Sequence, residues 1–417
     1  MDFAAGVRYS ARVAFWTDMS PKERSAFWAC FGGWALDAMD FQLYSLVMPT
    51  VIGLWHLTKD EAGGIATSAL LFSAVGGWLA GLLADRIGRV RTLQITIVWF
   101  AVFTCLQGFA QGYWQLFGAR ALLGIGFGGE WAAGAVLMGE TIRAEYRGRA
   151  VGTVQAGWAV GWAVSVLLYL VTFHYFPETT AWRLLFFCGI APALFVVFIR
   201  KNVSEPEVWK AAAVRGRFLD IFNRDILRTT VFASLLATGA QGGYYAITSW
   251  LPTYLKNTRH LSVMGTGGSV FVVIAGSFCG YLVSAHLSDA LGRKKNFYLF
   301  SICSIVTVLL YTHVEFGAGT LLSLGFPLGF FASGIFSGMG AFFTELFPTR
   351  IRASGQGFSY NFGRGVGALF PFFVGWASRS SLPLGRTIGL FAASAYALLF
   401  LAALTLPETR GKELSPA

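Results

Sequence analysis

"GLLADRIGRVRTL" (residues 81–93) and "AHLSDALGRKKNF" (residues 285–297) are one short passage written twice. Each closes an apolar run of membrane-spanning length and turns through Asp-x-x-Gly-Arg: Asp85, Gly88 and Arg89 in the first, Asp289, Gly292 and Arg293 in the second, 204 residues apart. A second pair recurs at an offset of 205. "GETIRAEYRGRA" carries Glu140 and Arg147, "TELFPTRIRASG" carries Glu345 and Arg352, and the Glu-to-Arg spacing is seven in both. Two independent motifs at one offset imply a duplicated six-helix unit. Parallel repeats about an axis normal to the membrane place a transport site between the halves.

Composition agrees. Of 417 residues 55% are hydrophobic and 13% charged, with mean hydropathy +0.59; a soluble domain carries roughly 25% charged residues. The expected fold is all-α and integral to the membrane, with twelve apolar segments long enough to span: about 26–51, 62–84, 92–112, 115–139, 148–171, 183–199, 228–254, 264–289, 296–314, 318–345, 354–376 and 385–406. This divides the chain into an N-terminal segment (1–25), a six-helix bundle (26–199), a linker (200–227), a second bundle (228–406) and a tail (407–417). The linker is too charged to insert and is expected to lie along the surface as amphipathic helix. With both termini on one side, 24 of the 32 Lys and Arg fall there. Basic residues favour the cytoplasm, which makes both termini cytoplasmic and the location a plasma (inner) membrane. The +11 charge is then topological and not a nucleic-acid footprint.

The start, "MDFAAGVRYSARVAF", does not read as a cleaved signal. The five cysteines sit in apolar runs without paired spacing and read as packing residues. There is no G-x-x-x-x-G-K-[ST] loop, no H-E-x-x-H and no Cys/His cluster, so no cofactor, metal site or catalytic constellation is expected. The expected partners are a substrate, protons and the bilayer, with a monomer as the working unit.

Within the spans, "GGWALDAMDFQLYSLVMP" (32–49) carries Asp37 and Asp40. An ionised carboxylate in hydrocarbon costs at least ~2.5 kcal/mol, so both should face a cavity or a partner. At about 1.5 Å per residue, Asp37, Asp40, Glu130 and Arg364 all lie near mid-membrane, while Arg120 lies nearer the outer face. A partly desolvated carboxylate beside a like charge takes up a proton readily. At least one aspartate is therefore a candidate proton carrier, with Asp37 preferred, or both hold the helix in place. Glu130 is a second carrier or an ion-pair partner. Arg364 offers a bidentate fork to a substrate carboxylate, or forms a fixed bridge to one of these acids. Gln42, Tyr44, Gln155, Gln241, Tyr244, Tyr245 and Asn361 lie at comparable depth and can line the cavity; Trp158 and Trp162 read mainly as bulk.

These residues resemble the major facilitator superfamily over essentially the whole chain. The loop G-x-x-x-D-[RK]-x-G-[RK] matches at Gly81, Asp85, Arg86, Gly88 and Arg89, and R-x-x-x-G-x-G-x-G matches at Arg120, Gly124, Gly126 and Gly128. "LPETRGKEL" (406–414) and E-x-x-P-x-x-x-R (Glu345, Pro348, Arg352) are similar to sugar-porter-like members. The resemblance implies two six-helix halves alternating access, and assigns Gly81, Asp85, Arg86, Gly88, Arg89, Arg120, Glu140, Arg147, Asp289, Arg293, Glu345 and Arg352 to gating. "LDAMDF", "GFGGEWAAG" and "YYAITSWLPTYL" together look like the carboxylate/proton symporters holding lactate and sialic-acid permeases. Sialic-acid permeases have extra spans, and aromatic-acid permeases carry D-G-x-D where Ala38 stands here. The expectation is thus a proton symporter importing a small monocarboxylate such as lactate or pyruvate. The alternatives are a sialic-acid, aromatic-acid or sugar symporter, or an exporter of the same fold.

Overall fold

The computed structural model describes residues 18–141, 147–205, 218–348, 351–380 and 382–410. The first six spans are α1 (Pro21–Trp55), α2 (Lys59–Ile87), α3 (Arg89–Gln107), α4 (Tyr113–Thr141), α5 (Arg147–Tyr175) and the pair α6 (Glu178–Cys188) and α7 (Pro192–Asn202). The second six are α8 (Arg224–Thr253), α9 (Val263–Leu291), α10 (Arg293–His313), α11 (Ala318–Leu346), the pair α12 (Arg352–Gly367) and α13 (Leu369–Ser380), and α14 (Leu384–Thr405).

Local chemistry sets the starts. α1 and α2 open on capping boxes, Ser20 with Glu23 and Thr58 with Glu61, each pairing two orphan N–H groups. Between α2 and α3, and between α9 and α10, the chain turns through Gly88 and Gly292 at φ +107° and +103°. Residues with a Cβ rarely adopt that backbone, which is why the repeat keeps glycine there. Two spans expected as continuous are broken. The sixth turns at Gly189 before Pro192, and the eleventh turns at Ala368, whose N–H returns to Arg364 O. Residues 206–217 of the linker lie outside the described residues; 218–222 form a 3₁₀ turn.

Packing repeats as the sequence does. α2 lies on α4 as α9 lies on α11, and α1 on α5 as α8 on α12. The backbones touch at matching glycines: a Cβ on Gly124 would meet Ala69 O and one on Gly76 would meet Ile125 O, as Gly329 and Gly280 would meet Val273 O and Phe330 O. Small residues allow that approach where lipid supplies no hydrophobic drive between helices. Across the halves α5 packs on α9, and α2 on α12 and α13. Apolar side chains such as Leu167, Leu194, Val306 and Leu401 stand exposed on the outer wall, as a lipid-facing surface requires.

Candidate functional site

Where the halves meet, a cavity is lined by Trp34 (α1), Phe127 (α4), Gln155 and Trp158 (α5), Tyr244 and Tyr245 (α8), Tyr281 (α9), Phe336 (α11), and Tyr360 and Arg364 (α12). It is narrow, leaving about 20 Å³ for the centre of a water-sized sphere. Across it, Trp158 Nε1 donates to Tyr244 OH at 2.6 Å. Behind the wall, Gln241 Nε2 donates to Tyr360 O at 2.8 Å, and Gln241 Oε1 accepts from Tyr245 OH at 3.1 Å. Among the described residues that line it, Arg364 alone is charged. Its guanidinium stacks 5.0 Å from the Phe127 ring centre and 5.1 Å from that of Tyr360. Its Nε and Nη1 have no hydrogen-bond partner among the described residues.

Two buried acids stand beside it. Asp37 is 1% exposed, and neither carboxyl oxygen has a partner among the described residues. The charges that bear on it are Glu130, Asp40 and Arg364. Glu130 lies three residues after Phe127 on α4, with its carboxyl against Gly33, one turn before Asp37 on α1. Its Oε1 is also without a partner among the described residues. Asp37, Glu130 and Arg364 therefore form one electrostatically interacting group where α1, α4 and α12 meet.

Asp40 is placed differently. Its Oδ2 accepts from Thr104 Oγ1 at 2.8 Å, and the cation bearing on it is Arg120. Arg120 is buried, stacks on the rings of Phe41 (5.3 Å) and Tyr44 (4.8 Å), and donates to Phe41 O at 3.4 Å. It sits in the core of the first six spans, away from the loops where the other gating candidates lie.

Of the uncharged candidates, Gln155, Tyr244 and Tyr245 line the cavity. Gln241 stands one layer behind, and Asn361 bonds Gly357 O and faces Gly77 at the α12–α2 contact. Gln42 accepts from Ser45 within α1, and Tyr44 donates to Ala62 O; neither reaches the cavity wall. Trp34, Phe127, Tyr281, Phe336 and Tyr360 were not singled out by sequence. Three of them had a signal: Trp34, Phe127 and Tyr360 each precede a charged site residue by three or four positions, on the same helix face.

At the end where α2 meets α3, the basic face, a glutamate caps the helix that follows the repeated glycine turn in both halves. Arg293 donates to both oxygens of Glu345 (2.8 and 3.1 Å), and Thr409 Oγ1 to Glu345 Oε2 at 2.6 Å. Glu408 accepts the N–H groups of Arg293 (2.9 Å) and Lys294 (3.0 Å) that open α10. Glu205 does the same for Arg89, Val90 and Arg91 at the start of α3 (2.8, 3.0 and 3.2 Å). An anion at a helix N-terminus meets both free donors and the positive end of the dipole. Partial burial raises the Glu408 carboxyl, but N–H donors from Arg410, Arg293, Lys294 and Thr409 outweigh it and hold the group below the usual carboxylate range. The side chains at Gly81, Asp85, Arg86, Glu140, Arg147, Asp289 and Arg352 lie outside the described residues.

The opposite face carries ion pairs between the halves. Lys256 Nζ meets Glu178 at 2.7 Å, Arg379 meets Asp60 at 3.2 Å, and Lys59 Nζ donates to Ser378 O at 3.3 Å.

Comparison with known proteins places this architecture. The profile of the Major Facilitator Superfamily matches residues 30–371. The probable 4-methylmuconolactone transporter of Cupriavidus pinatubonensis is 43% identical over 396 residues, 94% of this chain and 92% of that protein. The cis,cis-muconate transport protein of Acinetobacter baylyi is 30% identical over 383 residues, 87% and 90% of the two chains. A structure of the proton:xylose symporter XylE superposes with TM-score 0.76 at 17% identity, covering 94% of this chain and 98% of the other; it shares the fold. With twelve spans in two repeats and full-length transporter relatives, the chain belongs to the Major Facilitator Superfamily and is a membrane transporter, not an enzyme.

Proposed function

We propose that the protein imports a small organic acid together with protons by alternating access, the anion held by Arg364 and the protons by Asp37 and Glu130. The observation that carries this reading is the buried Arg364, with two guanidinium nitrogens lacking hydrogen-bond partners among the described residues, on the wall of a cavity whose other described lining residues are uncharged. A planar fork of this kind matches a carboxylate. The two carboxyls beside it are buried without hydrogen bonds to the oxygens noted above, an arrangement that suits neutralisation by a proton. The halves 26–199 and 228–406 rock as units joined by the linker. The basic face is cytoplasmic, as the distribution of Lys and Arg implies, and the membrane is the inner one.

Among small acids, the wall narrows the choice. Eight of the ten lining residues are aromatic, and ring faces favour flat, conjugated partners over saturated ones. Relatives named for a muconolactone and for muconate point the same way. We therefore favour a flat unsaturated carboxylate over lactate or pyruvate. The test is uptake into proteoliposomes under an imposed pH gradient, with 4-methylmuconolactone, cis,cis-muconate, lactate and pyruvate compared. Accumulation of the unsaturated acids with lactate and pyruvate excluded is expected. Uptake of lactate or pyruvate alone would contradict the substrate choice.

A further inference from the structure

Among the described residues, the charges fully buried within the spans do not cancel. Three carboxyls (Asp37, Asp40, Glu130) face two guanidiniums (Arg120, Arg364), all 1% exposed. Asp40 and Arg120 form a group inside the first half. Asp37 and Glu130 share the single Arg364 across the halves, so with every group ionised the centre carries one surplus negative charge. The other polar groups facing Asp37 and Glu130 cannot offset it. Cys30 donates to Gly134 O (3.2 Å), Thr104 is committed to Asp40, and Tyr244, Tyr245, Tyr281 and Tyr360 are neutral phenols. An uncompensated charge in a site this dry is expensive, and titratable groups there neutralise instead.

We infer that the empty carrier holds one resident proton on the Asp37–Glu130 pair, and that binding a monoanionic substrate brings in one more. This rests on the proton-coupled reading above and adds to it a count. Empty, one proton on two carboxyls balances Arg364. Loaded, the substrate carboxylate takes the guanidinium and both carboxyls are protonated, so the centre is again neutral. The resident proton returns with the empty carrier. Each cycle moves one proton with one monoanion and no net charge.

The count makes the two acids exchangeable. If either is neutralised, the remaining carboxylate pairs with Arg364 when the carrier is empty and takes a proton when it is loaded, so the ratio stays one to one. If both are neutralised, Arg364 stands alone, the substrate supplies the balancing charge and no proton is needed. The empty carrier then returns with one positive charge.

The experiment uses the purified full chain in proteoliposomes with 4-methylmuconolactone, a monocarboxylate, as probe. The wild type should accumulate it about tenfold per pH unit of gradient, one unit per proton being a factor of ten, with no response to a potassium-diffusion potential. Asp37→Asn and Glu130→Gln should each slow uptake while keeping that ratio and remaining voltage-insensitive. Asp37→Asn/Glu130→Gln should ignore the pH gradient and respond to an inside-positive potential, by about tenfold for ~60 mV. Acceleration of the wild type by an inside-negative potential, or loss of the one-to-one ratio in either single variant, overturns the count while leaving proton coupling standing. Wild-type uptake indifferent to the pH gradient overturns the coupling itself. Proton uptake on binding in detergent, read with a pH dye, gives the same count without turnover: one per anion in the wild type and in each single variant, none in the double variant. A different count overturns the inference.

Discussion

At the scale of the residue, two aspartates one turn apart have different surroundings. Asp37 lacks hydrogen-bond partners among the described residues and faces Arg364 and Glu130; Asp40 is bonded to Thr104 and set beside Arg120. Removing one member of a buried charge group costs about 3 kcal/mol or more because the other is left uncompensated. Asp40→Asn is therefore expected to lower the detergent-solubilised melting temperature by several degrees, with Asp37→Asn milder; equal losses would put both in the same role. Arg364→Lys keeps the charge but loses the fork and the stacking on Phe127 and Tyr360. It should weaken substrate binding by about 2 kcal/mol, roughly thirtyfold, in equilibrium titration. Depth along the spans put Asp37, Asp40, Glu130 and Arg364 at one height from sequence, but it could not tell that Asp40 stands with Thr104 and Arg120 instead. It could not separate Gln42 and Tyr44 from the cavity, because depth fixes height and not rotation. Residues 37–51 of α1 are buried all round, which leaves no polar face to set the phase.

At the scale of the element, the helix ends on the basic face show how sequence and structure divide the information. The duplicated Gly88 and Gly292 were visible in the sequence, and their φ values explain them. Glu205 and Glu408 stand 203 residues apart, at the same offset within a residue, yet their use as distant caps for α3 and α10 needed the fold. The breaks in the sixth and eleventh spans were likewise hidden in continuous apolar runs. For Glu408 the sign is definite. Its carboxyl is held low in the folded state, so the cap contributes above the ordinary glutamate value of about 4.3 and is lost as pH falls through the lower folded value. Glu408→Gln is expected to lower stability at pH 7 by about 0.5 kcal/mol, with the difference from wild type fading on acidification into the range below pH 4. Melting curves of both proteins across that range test it; a difference that grows on acidification would reverse the sign.

At the scale of the whole molecule, the cavity lies between two faces held together in unlike ways. The basic face carries a built charge network around Glu345 and Glu408, whereas the opposite face relies on Lys256–Glu178 and Arg379–Asp60. Exposed pairs of this kind are worth about 0.5 kcal/mol each, so reversing both cations should move the balance toward opening on that face by roughly fivefold, less at high salt. Labelling of Gln155→Cys by an impermeant thiol reagent from that side should rise in Lys256→Glu/Arg379→Glu. It should fall back when Glu178→Lys and Asp60→Lys are added; unchanged labelling would mean the pairs do not hold the face shut. The two-half architecture was legible from the offset of the repeated motifs. The aromatic wall was legible only at Tyr244 and Tyr245, because a chain that is 16% aromatic gives little contrast between rings that pack and rings that line a site.

The central claim is that Arg364 holds the substrate anion while protons drive its entry. Accumulation of 4-methylmuconolactone in proteoliposomes under an imposed pH gradient, for wild type and Arg364→Gln side by side, tests it most directly. Gradient-dependent accumulation by the wild type and none by the variant is the expected result. Equal accumulation by both, or wild-type uptake that ignores the gradient, would contradict it.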